Sequence, residues 1–402
     1  MPGMGAMPLD TFRAHFPIFR RRVYVNSCSQ GALSTEVETA LGTFIDSWHE
    51  SGSPWDRWME EFERLRAAAA RAIGADADEV AIMPSASVAI ASIATALAFD
   101  AERSKVVLGE FEFPTMAHVW LAERPRGAQI SWARARGEEL PLEAYATDVD
   151  DRTRVVPVAH VCFRNGYRAD VPGLVTLCRE RGAHVFLDDY QRTGTAPLDV
   201  HALGVDFFVT GALKYLLGPS GVAFLYVRRA LIEQVTPLVT GWFGREQPFA
   251  FSPAPLDWSA TARRFETGTP PVPNVFAARA GIELLESVGF DAIASRIDAL
   301  VHRCIAGARA RGFAVLTPED PARRGPLVVV RSSNAAELVE RLGARGVIAS
   351  ARGHGLRVSF HAYNTVEDVD AVLDALEANR TLVERAAATA RGATEARRLG
   401  DT

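Results

Sequence analysis

Residues 185–191 read Val185-Phe186-Leu187-Asp188-Asp189-Tyr190-Gln191, a short apolar strand that runs into two adjacent acids. Such an ending fits an open α/β sheet, in which ligands are held at the carboxyl ends of the strands. A carboxylate placed there can pair with a protonated pyridine nitrogen and turn the ring into an electron sink. An Asp after a strand also commonly caps the following helix. Sequence alone favours neither Asp188 nor Asp189 for either role.

The same pattern repeats on both sides. Strands are predicted at Glu79–Met83, Lys105–Gly109, Gln129–Ala133, Arg154–His160, His184–Asp188, Asp206–Thr210 and Val222–Val227. Helical periodicity fills most gaps, at Trp55–Ile73, Ser87–Phe99, Met116–Glu123 and Val171–Arg181. This alternation predicts an α/β fold with helices on both faces of a sheet. Near-continuous apolar strands are those buried on both sides. After Trp242 the pattern changes. A loop-rich stretch, Gly244–Pro273, leads into one long helical stretch, about Asn274 to Arg311. A compact α+β unit follows: strand Leu327–Arg331, helix Asn334–Arg345, strand Leu356–Phe360, helix Thr365–Ala378. The expected division is an N-terminal segment (1–23), a large domain (24–273), a linking helix with a small C-terminal domain (274–380) and a tail (381–402). The Ala-, Arg- and Thr-rich end of that tail reads as a frayed helix or a disordered segment.

The 402 residues are 48% hydrophobic and 23% charged, which excludes global disorder. No stretch approaches the roughly 18 apolar residues of a membrane span, and Met1 to Arg22 lack the apolar core of a secretory signal. A net charge of −5 argues against a general nucleic-acid binder. The four cysteines, Cys28, Cys162, Cys178 and Cys304, are too irregularly spaced for a zinc site or a disulfide framework. No metal is expected, and the cytoplasm is the default compartment. Of 44 basic residues only Lys105 and Lys214 are lysines. Arginine stays protonated at neutral pH, so any amine nucleophile must be one of these two.

Lys214 stands in Gly211-Ala212-Leu213-Lys214-Tyr215-Leu216-Leu217-Gly218-Pro219-Ser220-Gly221, a loop between two apolar strands. Its apolar neighbours would desolvate the amine and lower its pKa, which suits a Schiff-base lysine. Pro84-Ser85-Ala86-Ser87-Val88 follows a strand and opens a helix, where free backbone N–H groups attract phosphate. Phe113, in Glu112-Phe113-Pro114-Thr115, could stack on a planar ring, although an aromatic there more often belongs to the core. Arg357, inside the apolar strand Leu356-Arg357-Val358-Ser359, needs an anionic partner. A substrate carboxylate or an internal acid would serve.

Together these motifs resemble fold-type-I enzymes of the class V aminotransferase superfamily, which use pyridoxal 5′-phosphate. The resemblance runs from about Tyr24 to Leu376. It rests on an ordered set: small-residue phosphate loop, stacking residue, Asp-x-x-Gln, lysine, Gly-Thr, then an arginine before Tyr363-Asn364-Thr365. It implies a large domain with a mostly parallel, doubly wound sheet and a smaller α+β C-terminal domain. It implies that Lys214 holds the cofactor as an aldimine and that Asp188 pairs with its pyridinium nitrogen. Gln191 would contact the ring's phenolic oxygen, and Ala86 and Ser87 would bind the phosphate. Arg357 would hold the substrate α-carboxylate. Thr269, in Glu266-Thr267-Gly268-Thr269-Pro270, would reach the phosphate of the other subunit of a homodimer.

The kynureninase-like and isopenicillin-N-epimerase-like branch is the most similar. Gly241-Trp242-Phe243-Gly244 followed by Pro248-Phe249-Ala250 is similar to a kynureninase signature whose Trp approaches the phosphate. Phe113-Pro114-Thr115 is similar to its ring-stacking segment, and His49 resembles a substrate-pocket histidine. Kynureninases, however, carry Asp, His and Tyr where this chain has Met116, Gln191 and Leu213, and their Gly-Asn-Ser-Leu-Gly segment is here Asn26-Ser27-Cys28-Ser29-Gln30-Gly31. These departures point away from kynurenine itself. Cysteine desulfurases need a loop cysteine shortly before the arginine segment, and Ser350-Ala351-Arg352-Gly353-His354 has none.

The implied activity is carbanion chemistry on an L-amino acid, as a transaminase or a lyase. An epimerase or a desulfurase-type C–S lyase is the alternative. A non-catalytic cofactor-binding protein is disfavoured by the presence of Lys214. The absence of GxGxxG and GxxxxGK[ST] disfavours a nucleotide cofactor. No nucleic-acid or membrane partner is implied.

Overall fold

A computed structural model describes residues 7–386. Seven strands form the main sheet: β1 (Val80–Met83), β2 (Lys105–Gly109), β3 (Gln129–Ala133), β4 (Thr153–Ala159), β5 (His184–Asp188), β6 (Phe207–Gly211) and β7 (Ala223–Val227). Their order is β1-β7-β6-β5-β4-β2-β3, with β7 alone antiparallel to its neighbours. Every predicted strand of this sheet is present, with each end within one residue.

Successive residues of the central strands enter opposite cores. On β5, Val185 and Leu187 join one apolar cluster, whereas Phe186 joins the other with Trp120 and Ile90. Burial on both faces is what makes these strands read as continuous apolar runs. Each fully buried Phe contributes about 1.5–3 kcal/mol. The second cluster is covered by two helices, α3 (Ala86–Ala96) and α4 (Pro114–Ala122). The first is covered partly by α2 (Trp55–Ile73) and α5 (Val171–Glu180).

A helix the sequence reading passed over, α1 (Thr35–Ser51), starts at Ser34, whose side chain accepts from the Val37 amide at 3.2 Å. The single long helix expected over 274–311 is instead two, α6 (Val272–Val288) and α7 (Phe290–Ala310). Gly289, at φ 89°, breaks them. Apolar periodicity continues across the break, so periodicity could not reveal it.

A second sheet is antiparallel and three-stranded, in the order β9-β10-β8: β8 (Leu327–Arg331), β9 (Ser350–Arg352) and β10 (Gly355–Ser359). Two helices accompany it, α8 (Ala335–Ala344) and α9 (Val366–Ala378). Of the predicted tail, Val383 pairs with Ser332 and Arg385 with Phe313. Its remainder, 387–402, lies outside the described residues, as do residues 1–6.

The early chain joins the two sheets. Val23–Tyr24 pairs in parallel with Val347–Ile348, and Asn26 bridges to Ser359. The Cys28 amide donates to Ser359 Oγ at 2.8 Å, and the Gly31 amide to the Leu213 carbonyl at 2.7 Å. Residues 26–31 therefore run from β10 to the lysine loop.

Candidate active site

Strands β1, β2, β4, β5 and β6 all end at the same edge of the main sheet. A cavity of about 360 Å³ opens there, within the roughly 300–1,000 Å³ usual for small-molecule sites. Its walls include Ala86, Ser87, Phe113, Asp188, Gln191, Lys214 and Arg357. Seven residues singled out from sequence, spread over 272 positions (86 to 357), thus meet at one point.

Asp188 and Asp189 are separated by strand parity. Asp188 shares the face of Phe186 and lines the cavity, where its Oδ1 accepts the Tyr190 amide at 3.0 Å. Asp189 turns to the other side. His160 Nδ1 lies 2.5 Å from its Oδ1, and Thr193 donates to Oδ2 at 2.7 Å. Asp189 is thus a structural anchor, and Asp188 is the acid available to a ligand. Burial lifts the Asp188 carboxyl to about 6, against the pull of the Tyr190 amide and Lys214.

Lys214 follows β6. Burial lowers its ammonium to about 8, although Asp188 opposes this. Its Nζ sits 4.3 Å from the centre of the Tyr190 ring and 5.8 Å from that of Phe113. Tyr190 can lie there because residue 211 is glycine. A Cβ on Gly211 would stand 2.0 Å from the Tyr190 hydroxyl. The lysine turn closes through Leu217, a non-glycine residue at φ 59°, a conformation that costs about 1–2 kcal/mol. The other lysine is committed elsewhere: Lys105 Nζ bonds the Asp148 carbonyl at 2.8 Å and Asp150 at 2.5 Å.

The N-terminal residues of α3, Ala86 and Ser87, line the same cavity. Ser85 caps it by accepting from the Val88 amide at 3.2 Å, and Ser87 Oγ bonds Thr115 Oγ1 at 3.3 Å. The first helical amides, of Ala86 and Ser87, have no partner within the helix, which is the arrangement that receives a phosphate. Gln191 Nε2 donates to the Cys28 carbonyl at 3.2 Å, while Oε1 is buried without a partner. The cavity therefore offers a buried acid, an unpaired amide oxygen, a helix terminus and a desolvated amine. These groups fit pyridoxal 5′-phosphate.

Arg357 is 1% exposed, and neutral acceptors hold its guanidinium. Nε bonds Ser350 Oγ at 3.2 Å, and the two terminal nitrogens bond the Phe163 carbonyl and Ser29 Oγ, each at 2.8 Å. No internal acid among the described residues pairs with it.

Three expected site residues are not brought to this cavity within one chain. His49 lies exposed in the last turn of α1. Thr269 is exposed in the loop before α6. Trp242 packs against Phe243, ring centres 4.4 Å apart, and lines a separate open groove of about 1140 Å³ with Trp55, Phe249 and Phe251. Conversely, Ser29, Tyr190, Phe163 and Arg352 line the cavity. Ser29, Tyr190 and Arg352 stand in stretches quoted from the sequence, but as members of a motif and not as site residues. Glu112, next to Phe113, is buried with both oxygens unpartnered, and burial holds its carboxyl well above the usual range. Asp76, Glu79 and His201 also converge, but Arg229 bonds both acids and His201 bonds Glu79, which knits a turn.

Comparison with known proteins identifies the family. The chain is 35% identical to the uncharacterized aminotransferase YcbU of Bacillus subtilis, over 92% of this chain and 97% of the relative. It is 27% identical to a kynureninase of Deinococcus radiodurans, over 94% and 98%, and 26% identical to a cysteine desulfurase of Haloferax volcanii, over 93% and 97%. Its fold matches the apo cysteine desulfurase of Thermococcus onnurineus NA1 with a TM-score of 0.84 at 21% identity, covering 94% of this chain and 99% of the other. It also matches the cystine C–S lyase C-DES, with a TM-score of 0.82 at 20% identity, covering 90% and 98%. The Aminotransferase class-V family model matches residues 45–372. The chain therefore belongs to the class V aminotransferase family of pyridoxal-phosphate-dependent enzymes.

Proposed function

We propose that the protein acts on an L-amino acid at its Cα, as a transaminase or a lyase, with Lys214 as the cofactor-bearing and proton-moving residue. The observation that carries this reading is the meeting of Lys214, Asp188, Gln191 and Arg357 around one cavity. When bound, the cofactor supplies an electron sink for charge that develops at Cα. Asp188 would hold the ring nitrogen, Gln191 the ring oxygen, Phe113 a ring face, and Ala86 and Ser87 the phosphate. Arg357 offers a fork to the α-carboxylate and so fixes which bond at Cα faces Lys214. The Lys214 amine, lowered towards neutrality by burial, removes the Cα proton and delivers it. Delivery away from Cα gives transamination, return to Cα from the opposite face by a donor other than Lys214 gives epimerisation, and loss of a β-substituent gives a lyase reaction. The likeness to a relative named an aminotransferase supports the first.

The desulfurase reading has less support, because the β9–β10 hairpin carries Arg352, Gly353 and His354 where a thiol would be needed. The enzyme is inferred to be a cytoplasmic homodimer, in which the exposed Thr269 and the Trp242 groove serve the second subunit. Four free cysteines suit a reducing compartment.

Borohydride reduction of the holoenzyme followed by peptide mapping tests the assignment. The pyridoxyl group is expected on the Lys214 peptide, and Lys214→Ala should abolish labelling while Lys105→Ala should not. A label on Lys105, or on neither lysine, overturns the reading.

A further inference from the structure

The cavity holds more positive charge than one α-carboxylate needs. Lys214, Arg352 and Arg357 line it, and Asp188 is the only acid among its lining residues. Asp188, Lys214 and the α3 terminus are the groups assigned to the cofactor. Two guanidinium groups are left on the cavity wall, both near enough to oppose the charge on Lys214.

Both arginines belong to the β9–β10 hairpin. Arg352 is registered opposite Gly355, and Arg357 opposite Ser350. Residues directly opposite share a face, and so do residues two apart on one strand. Arg352, Gly355 and Arg357 therefore share one face of the hairpin. Arg357 is buried and Arg352 exposed, so Arg357 sits at the cavity's depth and Arg352 towards its mouth. Among the described residues neither forms an ion pair. A terminal nitrogen of Arg352 donates to the neighbouring Ala351 carbonyl at 2.7 Å. Some exposed arginines are neutralised, as Arg303 is by Asp370 at 2.8 Å and Arg341 by Glu337 at 2.5 Å, and others, such as Arg57 and Arg124, are unpaired among the described residues. What sets Arg352 apart is that it lines the cavity beside Arg357. The guanidinium of Arg352 is destabilised first by burial and then by the charge of Arg357. Two like charges held on one cavity wall are relieved by anions placed beside them.

We infer that the substrate is a dicarboxylic amino acid: Arg357 takes its α-carboxylate, and Arg352 takes a second carboxylate on its side chain. This rests on the reading of Arg357 given above. Arg352 is thus a specificity residue, on the hairpin that departs from the cysteine-bearing pattern of desulfurases.

The test uses the holoenzyme and unreactive acids. Calorimetry compares succinate and glutarate with propionate and butyrate, and steady-state kinetics compares L-aspartate and L-glutamate with L-2-aminobutyrate and L-norvaline. A charge-assisted pair predicts a preference of about 10- to 100-fold for the diacids. Arg352→Gln should collapse that ratio towards one, chiefly through KM, whereas Arg352→Lys should keep part of it. If monoacids bind through Arg357 and diacids gain nothing, or if the preference survives Arg352→Gln, the Arg352 assignment is overturned while the Arg357 reading stands. If no carboxylate binds, or Arg357→Gln changes nothing, the Arg357 reading fails and takes this one with it.

Discussion

His361 Nε2 lies 2.9 Å from the carbonyl oxygen of Tyr215, the residue after Lys214. Its Nδ1 accepts the Ala362 amide at 2.7 Å. Only one neutral tautomer satisfies both contacts, with the proton on Nε2 donated to Tyr215. The ring also stacks on Tyr363, with centres 4.9 Å apart. The segment after β10 thus pins the backbone of the lysine loop through an uncharged histidine. A proton added at Nδ1 would confront the Ala362 N–H.

Burial accordingly depresses the His361 imidazolium to about 4, from an ordinary value of 6.5. The sign of the pH dependence follows. Between pH 6.5 and about 4 the unfolded chain binds a proton at this site and the folded chain does not. Stability is therefore fully present above pH 6.5 and falls as pH drops towards 4, by about 3 kcal/mol at most for this group. Urea unfolding across that window should show the loss, and His361→Gln should flatten it. An unchanged slope in the variant would show that other groups carry the pH dependence.

Gly31 approaches the same loop from the other side. Its amide bonds the Leu213 carbonyl at 2.7 Å, and a Cβ placed on it would stand 2.4 Å from the Lys214 carbonyl oxygen. That contact is with backbone, which cannot swing aside as a side chain would. Gly31→Ala should cost about 1–3 kcal/mol of stability through overpacking. It should also weaken cofactor retention, because relief of the clash moves Lys214. Cofactor titration followed by absorbance checks this, and a variant with native affinity would contradict it.

The parts of this structure that could be read in the sequence share one property: they depend on local pattern. Strand β5 is legible because both its faces are buried, and Lys214 because the chain has only one other lysine. Arg357 stands out as a charge within an apolar strand. What was illegible depends on distant partners. Parity places Asp188 and Asp189 on opposite sides, but only His160 and Thr193 decide which side is which. Tyr190 reaches Lys214 because Gly211 leaves room, a relation between positions 21 residues apart. Arg352 gains meaning only when the hairpin register sets it on the face of Arg357.

Thr269 provides the last prediction, because its single-chain placement and its expected role differ. It is exposed and does not line the cavity of its own chain. A phosphate contact from Thr269 therefore requires a second copy. The open groove formed by Trp55, Met59, Trp242, Phe249 and Phe251, with Phe251 74% exposed, provides apolar surface for that contact. Sedimentation should give a dimer, and Phe251→Asp should shift it towards monomer. Mixed dimers give a sharper test. A protomer carrying Lys214→Ala has no working site of its own but supplies an intact Thr269. A protomer carrying Thr269→Val keeps Lys214 but fails to complete its partner. If Thr269 acts across the interface, refolding the two together rebuilds one fully native site per mixed dimer, with cofactor affinity and activity recovered above those of either parent. If Thr269 acts within its own chain, no mixed dimer contains an intact site. Absence of recovery, despite mixed dimers shown by native mass spectrometry, would reject the cross-subunit role.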